Sequence, residues 1–424
     1  MRFFAWISLV LIGLAASAAA AGFNGDWTGV WIKDGDSLPV TVHFKAAPQG
    51  ETGSFDSDAL QVTDIPFAEV KHDGVKVHWV LRSDSGASVF DGTLQNGFLD
   101  GVFVEDGKTG QFHLTRQAVT ETAIESEDVT FTHDGITLAG SILHPAGKPG
   151  QRPGIVFTHG SGPEGRWASR YLATLFAKAG YVALITDKRG VGGSSGDWKS
   201  AGLFDFADDA VAGIALLRAR TDVDPARVGI YGHSQGGWVA PLAAARDPKI
   251  AFVIASSAGG ISLADTEEYS IANSLDVKHL DAAEAAEARA FARAIVDTGY
   301  RGQPYARLTV AVTRFAKRPW YWDPPPADSY YWAFARRLAS FDPPSVWRQV
   351  KVPVLLLYGE DDERVPAGPS RTAITVALKA GGNERVTVKV FAHADHNFRL
   401  NNSAGWPKRA PGYAAALIGW AKDR

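Results

Sequence analysis

From Gly22 to about Arg116 the chain alternates apolar and polar residues in short runs, Trp27–Lys33, Pro39–Lys45, Val75–Leu81, Ser88–Leu94 and Gln111–Leu114. A period of two gives each run one apolar face, the mark of a half-buried strand. Between the runs, Asp73-Gly74 and Asn96-Gly97 are residue pairs that tolerate the left-handed backbone of a tight hairpin. The pattern predicts a small antiparallel all-β domain over residues 22–120, a barrel or a sandwich. Its His43, His72, His78 and His113 follow no metal-ligand spacing and read as ordinary strand residues. After a polar linker, Val129–Leu138 reads as a further hairpin turning on Asp134-Gly135.

Past that hairpin the texture changes. Uninterrupted apolar runs at Gly154–Thr158, Val182–Thr186, Val228–Tyr231, Phe252–Ala255, Val352–Tyr358 and Val386–Phe391 alternate with helical spacing at Tyr171–Ala179, Phe204–Arg220, Gly237–Ala245, Arg371–Ala380 and Ala414–Lys422. Strands that are apolar throughout are buried on both faces, and strand-helix alternation builds a parallel sheet covered by helices. An α/β domain is therefore predicted over residues 125–424. The alternation stops once, over about 261–345, where a helical stretch at Asp281–Val296 is joined by Trp320-Tyr-Trp322 and Tyr330-Tyr-Trp332. This insertion is expected to cap the sheet edge. Its aromatic residues either line an apolar substrate pocket or build the insertion's own core.

The apolar run Val228–Tyr231 breaks into Gly232-His-Ser-Gln-Gly236 and resumes as a helix. That is the GxSxG nucleophile elbow, a tight strand-to-helix turn that holds a serine hydroxyl clear of the backbone. It makes Ser234 the candidate nucleophile. The amide of Gln235, at the start of the new helix, is a candidate donor to an oxyanion. A second match, Gly192-Gly-Ser194-Ser-Gly196, lies in a Gly/Ser-rich loop with no strand leading directly in and no helix directly out, so Ser194 reads as loop.

A serine needs a base, and the base needs an acid to fix its tautomer. In a fold of this kind they follow in the order Ser, Asp or Glu, His. After Val352–Tyr358 comes Gly359-Glu-Asp-Asp-Glu-Arg-Val-Pro366, offering Glu360, Asp361, Asp362 and Glu363; the arrangement Gly-x-x-Asp-x-x-Val-Pro resembles one common in α/β-hydrolases, and that resemblance implies Asp362. After Val386–Phe391 comes Ala392-His-Ala-Asp-His-Asn-Phe398, where His396 is preferred to His393. The second oxyanion donor is expected in His159-Gly-Ser-Gly-Pro163, after the strand Gly154–Thr158, at the amide of Ser161 with Gly162 as the alternative. This loop lacks the spacing and the lysine of a phosphate-binding loop.

Composition narrows the surroundings of this chemistry. The chain has 424 residues, 46% hydrophobic and 21% charged, with a net charge of −3 and no long charge runs, so neither nucleic acid nor an anionic membrane surface is an expected partner. There is no Cys, which removes disulfides, thiolate zinc ligands and a thiol nucleophile. No metal or cofactor is called for. Met1-Arg2, the apolar Phe3–Ala15 and the run Ala16-Ser-Ala-Ala-Ala-Ala21 read as a signal peptide over residues 1–21. Its apolar part is shorter than the ~20 residues that span a bilayer, so the expected product is exported, periplasmic or secreted, without stable membrane insertion.

Several stretches, His159-Gly-Ser-Gly-Pro163, Asp187-Lys-Arg-Gly-Val-Gly192, Val223-Asp-Pro-Ala-Arg-Val228 and Gly232-His-Ser-Gln-Gly-Gly237, make residues 125–424 similar to serine α/β-hydrolases. They are similar to bacterial carboxylesterases of the EstD type, which themselves resemble serine peptidases of the prolyl-oligopeptidase and S33 groups. The resemblance implies a small-molecule ester as substrate, with a serine peptidase or thioesterase as the alternative. The family's elbow often carries Glu where this chain has Gln235.

Overall fold

The computed structural model describes residues 22–83, 86–117, 124–147, 150–400, 406–422 and 424; the predicted signal peptide lies outside them. The chain divides into two units, Met1–Phe55 with Asp64–Val119, and Asp56–Thr63 with Thr120–Arg424.

The first unit is one antiparallel sheet of β1 (Gly25–Lys33), β2 (Asp36–Ala47), β3 (Gly50–Ser57), β4 (Val62–Pro66), β5 (Glu69–Asp73), β6 (Lys76–Ser83), β7 (Gly86–Gln95), β8 (Phe98–Glu105) and β9 (Lys108–Arg116). The spatial order is β4-β3-β2-β1-β9-β8-β7-β6-β5. Its edge strands β4 and β5 are separated in sequence only by Phe67 and Ala68, so the sheet has to curl back on itself. The two linking amides do the joining, Phe67 to the Gly53 carbonyl at 2.8 Å and Ala68 to that of Val80 at 2.7 Å. The interior is aromatic: Trp79 lies 4.9 Å from both Phe90 and Phe112, and Trp31 4.7 Å from Phe90. A side chain at Gly92 would meet the Phe112 ring at 2.7 Å, which is why a glycine interrupts that strand.

Of the hairpin signals, Asn96-Gly97 occupies the two central positions of its turn with φ of 53° and 84°. Asp73-Gly74 does mark a hairpin, but Asp73 pairs with Lys76, so the turn is Gly74-Val75. The strands β3, β4, β5 and β8 are absent from the periodicity reading. β3 is rich in Gly and Ser and β5 in charged residues, and both pair as sheet because their neighbours supply the ladder.

In the second unit, β10 (Ile124–His133), β11 (Ile136–Pro145), β12 (Arg152–Thr158), β13 (Val182–Thr186), β14 (Val223–His233), β15 (Val253–Ser256), β16 (Val354–Gly359) and β17 (Val386–Phe391) form a sheet in the order β10-β11-β13-β12-β14-β15-β16-β17. The pairings β10 to β11 and β11 to β13 are antiparallel and the remainder parallel. Successive residues of one strand point to opposite faces, and both faces are buried. Val156, Ile230 and Leu356 pack under α2 (Leu203–Arg218) and α3 (Gly236–Arg246), while Ile155, Tyr231 and Leu355 pack under α1 (Arg170–Lys178) and the C-terminal helix Tyr413–Ala421. The uninterrupted apolar runs have this cause.

The insertion contains the helices α4 (Leu263–Ser274), α5 (Ala282–Gly299), α6 (Tyr305–Phe315) and α7 (Tyr330–Leu338), and the short α8 (Pro343–Trp347) leads back to the sheet. The Asp281 carboxylate caps α5, accepting from the Ala283 and Glu284 amides at 2.9 Å. Trp320 and Trp332 lie in a cluster with Phe291, Ile295, Leu308 and Phe315, and Trp322 and Tyr331 pack against it. These rings build the insertion's own core. Tyr330, half exposed, sits edge-on to Trp198 at 5.6 Å. An aromatic pocket made of these five residues is thus not what the insertion forms. Among the described residues no helix is long and apolar enough to cross a membrane.

Candidate active site

Every site residue selected by pattern falls on a loop at the carboxyl edge of a parallel strand: Ser161 after β12, Ser234 after β14, Asp362 after β16 and His396 after β17. This is the edge at which open α/β sheets build their sites.

The Ser234 backbone is left-handed, with φ of 55°. A non-glycine residue in that region is strained and persists only where its surroundings impose it. They do so by close approach. A side chain at Gly232 would collide with the Gly236 carbonyl, and one at Gly236 would lie 2.7 Å from the Thr158 hydroxyl. Thr158 Oγ1 ties the turn to β12, donating to the Tyr231 carbonyl at 3.0 Å with that of Gly236 at 3.3 Å. The Ser234 amide donates to the Ser256 carbonyl at 2.9 Å, anchoring the elbow to β15.

Asp362 and His396 are fully buried and face each other, with His396 Nδ1 at 2.9 and 3.0 Å from the two carboxylate oxygens. Asp362 Oδ1 also accepts from the Arg364 and Val365 amides at 2.9 and 2.8 Å. With Nδ1 engaged as donor, Nε2 of His396 is the nitrogen left to act as base. The other acidic residues of this loop serve backbone: Glu363 accepts from the His396 amide at 3.1 Å and Glu360 from that of His393 at 3.2 Å. A side chain at Gly359 would run into the Ala394 and Asp395 carbonyls, so the glycine lets the base-bearing loop lie directly on the end of β16. His393 is exposed, with Asp361 at 3.9 Å.

His396 lies beside the elbow. His233, the residue before Ser234, has its ring 5.0 Å from that of His396 and its Nε2 3.3 Å from Asn397 Oδ1. The Ser257 hydroxyl donates to the His396 carbonyl at 2.9 Å. From the insertion, Tyr269 donates to the Asp362 carbonyl at 2.8 Å and Asn273 to that of Glu363 at 2.9 Å, so α4 is bonded to the acid loop.

Two histidines beside the site are held neutral. Burial, and then the neighbouring His396, push His233 down to about 3. Burial, and then the Lys188 ammonium, push His159 down to about 4. His159 Nε2 donates to the Thr186 carbonyl at 2.6 Å and is part of the loop's frame. Ser194 is structural too: its hydroxyl accepts from the Ala139 amide at 2.9 Å and donates to the Asp187 carbonyl at 2.7 Å.

One residue of this edge escaped the pattern reading. Lys188, on the loop after β13, is 2% exposed, and its Nζ donates to the carbonyls of Gly160 at 2.8 Å and Gly162 at 3.1 Å and to Gln235 Oε1 at 2.7 Å. The run Asp187-Lys-Arg-Gly-Val-Gly192 carries part of the family resemblance, but no role was read for Lys188 within it. Its position directly after an inner parallel strand was the available signal. Among the described residues, no three His, Asp or Glu side chains gather as a metal site.

The strand order and the elbow's place in it define an α/β-hydrolase. Residues 150–402 match the family described as serine aminopeptidase, S33, and the chain belongs to that family. Among curated relatives it is similar to polyketide transferase ATR5 of Stachybotrys chlorohalonatus, 34% identical over 31% of this chain and 44% of that one. It is likewise similar to thiohydrolase apmlB of Arthrinium phaeospermum, 36% identical over 31% of this chain and 42% of the relative. The chain thus spans less than half the length of these relatives. Solved structures of similar fold include 2,6-dihydroxy-pseudo-oxynicotine hydrolase (18% identity, TM-score 0.47, 70% of this chain and 67% of that one). Another is Est1E of Butyrivibrio proteoclasticus with bound ferulic acid (18%, TM-score 0.45, 70% and 96%).

The two depressed histidines couple stability to pH. A histidine whose folded value lies below its ordinary 6.5 stabilises the fold fully above that value. As pH falls from about 6.5 toward 4 the unfolded chain takes up protons that the folded chain refuses, and stability declines. Urea unfolding between pH 7.5 and 4.5 checks this, and the slope should be shallower in His233→Gln.

Proposed function

We propose that this protein is a carboxylic ester hydrolase of the EstD type, working through an acyl-enzyme on Ser234. The observations that carry the reading are the buried Asp362–His396 pair, the His396 ring 5.0 Å from that of His233, and the next residue, Ser234, held at φ 55°. Ser234 Oγ attacks the ester carbonyl while His396 Nε2 takes its proton. The resulting oxyanion is held by the amides of Ser161 and Gln235. His396 then returns the proton to the departing alkoxide or phenolate, leaving an acyl-serine. Water repeats the sequence: His396 removes its proton, the oxygen adds to the acyl carbon, and the carboxylic acid leaves as Ser234 recovers its hydrogen. Asp362 stays ionised throughout and stabilises the imidazolium.

Ser234→Ala should lower kcat by about 10⁴- to 10⁶-fold and abolish labelling by a fluorophosphonate probe. Ser194→Ala should remain labelled. Asp362→Asn should cost on the order of 10⁴-fold by admitting the wrong histidine tautomer, and Asp361→Asn far less. Equal losses in the two aspartate variants would refute the assignment of the acid.

The second reading is amide hydrolysis, favoured by the family's description as a serine aminopeptidase. An alkoxide or phenolate leaves with less protonation than an amine, which places esters first. Nitrophenyl esters of short acids should therefore show a higher kcat/KM than aminoacyl nitroanilides under one set of conditions. The reverse order would install the peptidase reading.

Export belongs to the same proposal. Expressed with its own first 21 residues in a bacterial host, the protein should be recovered outside the cytoplasm. N-terminal sequencing should begin within or just after Ala16–Gly22, and a mature chain beginning at Met1 in the cytoplasm would contradict it.

A further inference from the structure

Lys188 carries a charge where the chain could have placed an apolar residue at no cost in solvation. Its stem and ammonium are enclosed, with the Phe206 ring 4.7 Å and the Trp198 ring 5.7 Å from Nζ. Three N–H bonds meet three acceptors, the carbonyls of Gly160 and Gly162 and the side-chain oxygen of Gln235. A buried ammonium is tolerated only with such full satisfaction.

What these acceptors belong to gives the arrangement its meaning. The Gly160 carbonyl and the Ser161 N–H are two ends of one planar peptide unit, so a donor fixed on the carbonyl sets the direction of the N–H. A cation on that oxygen also polarises the amide and strengthens it as a donor. The Gly162 carbonyl pins the loop on the far side of Ser161. The third bond goes to Gln235, whose own amide is the other proposed oxyanion donor. The loop's Gly160 amide is anchored separately, by Glu164 at 2.6 Å.

We propose that Lys188 is the positioning residue of the oxyanion hole, its ammonium locking the Gly160–Ser161 peptide and Gln235 into one preorganised unit. The inference rests on the reading of Ser161 and Gln235 as oxyanion donors. It assigns Gln235 a side-chain role beside its backbone one.

The lock depends on protonation. The ammonium offers three hydrogens to three acceptors, whereas the neutral amine offers two and turns a lone pair toward the third. Burial pushes Lys188 down to about 8, against the partial support of the Glu164 carboxylate. Glu164 is itself raised by burial and lowered by the Gly160 amide and by Lys188. The other charged or titratable groups around it are His159, held neutral, Asp187, turned to Arg166 at 2.8 Å, and Arg189, turned to Asp209 at 2.6 Å. The lock is therefore complete well below pH 8 and opens as pH rises through it.

The test is the steady-state hydrolysis of a short-chain nitrophenyl ester from pH 6 to 10 by the full-length enzyme and two variants. The parent should show a basic limb in kcat near pH 8. Lys188→Met should lose kcat on the order of 10²-fold with KM changed less than about threefold, because the loss falls on the transition state. Its remaining activity should lack the basic limb. Gln235→Glu keeps the contact and adds a carboxylate opposite the ammonium, so the limb should move up by about one pH unit or more. A Lys188→Met protein with native circular dichroism and kcat within about threefold of the parent overturns the proposal. If that variant does not fold, Gln235→Glu decides: a basic limb that is absent in the parent or unmoved in this variant overturns it equally. Turnover surviving in Ser234→Ala would instead sink the underlying catalytic reading, so the two failures are distinguishable.

Discussion

The constraint on which the site depends is the left-handed backbone at Ser234. A residue with a side chain does not hold φ of 55° for its own sake; here the strand, the turn and the helix approach so closely that no other path is open. Gly232 and Gly236 make the approach sterically possible, and Thr158 fastens it to the neighbouring strand. The same closeness puts the Gln235 amide at the first turn of α3, where helical N–H groups have no intrahelical acceptor. One steric solution therefore exposes the hydroxyl and supplies a donor beside it.

Asp362 and His396 are brought together by the same economy. β16 and β17 are adjacent and parallel, so the loops leaving them start side by side, and the acidic loop binds the histidine loop through backbone before any side-chain pair forms. Asp361 donates its amide to the Ala394 carbonyl at 2.9 Å, and Glu363 receives the His396 amide. With the loops fastened in this way, the Asp362 carboxylate has only one ring to meet. Of four carboxylates in sequence, Asp362 faces the imidazole, while Glu363 and Glu360 accept from the amides of the histidine loop.

Much of this was legible in the sequence because its signals are local. The elbow, the six parallel strands and the hairpins at Asn96-Gly97 and Asp134-Gly135 rest on short-range patterns that steric rules make restrictive. The paired turns Asp34-Gly35 and Asp106-Gly107, left-handed at both residues, carried the same signal; the second would have disclosed β8, and the first would have joined β1 to β2. The illegible parts are non-local. Strands such as β3 and β5 owe their pairing to neighbours rather than to their own residues. The aromatic density of the insertion was compatible with a pocket or a core, and only contacts between distant residues such as Phe291 and Trp320 separate the two.

Lys188 shows the same limit in its sharpest form. Read along the chain it is one basic residue in a polar loop, the most ordinary of surface features. In the fold, it is drawn inward because two glycine carbonyls on the loop after β12 and the Gln235 amide group after β14 point to the space between them. None of those acceptors is charged, so the lysine is not buried to neutralise a partner. Glu164, whose carboxylate partly supports the ammonium, bonds the Gly160 amide instead. An ammonium kept in such a place against its desolvation is held by the geometry of backbone oxygens, and backbone oxygens are what must be oriented if the amides beyond them are to act together.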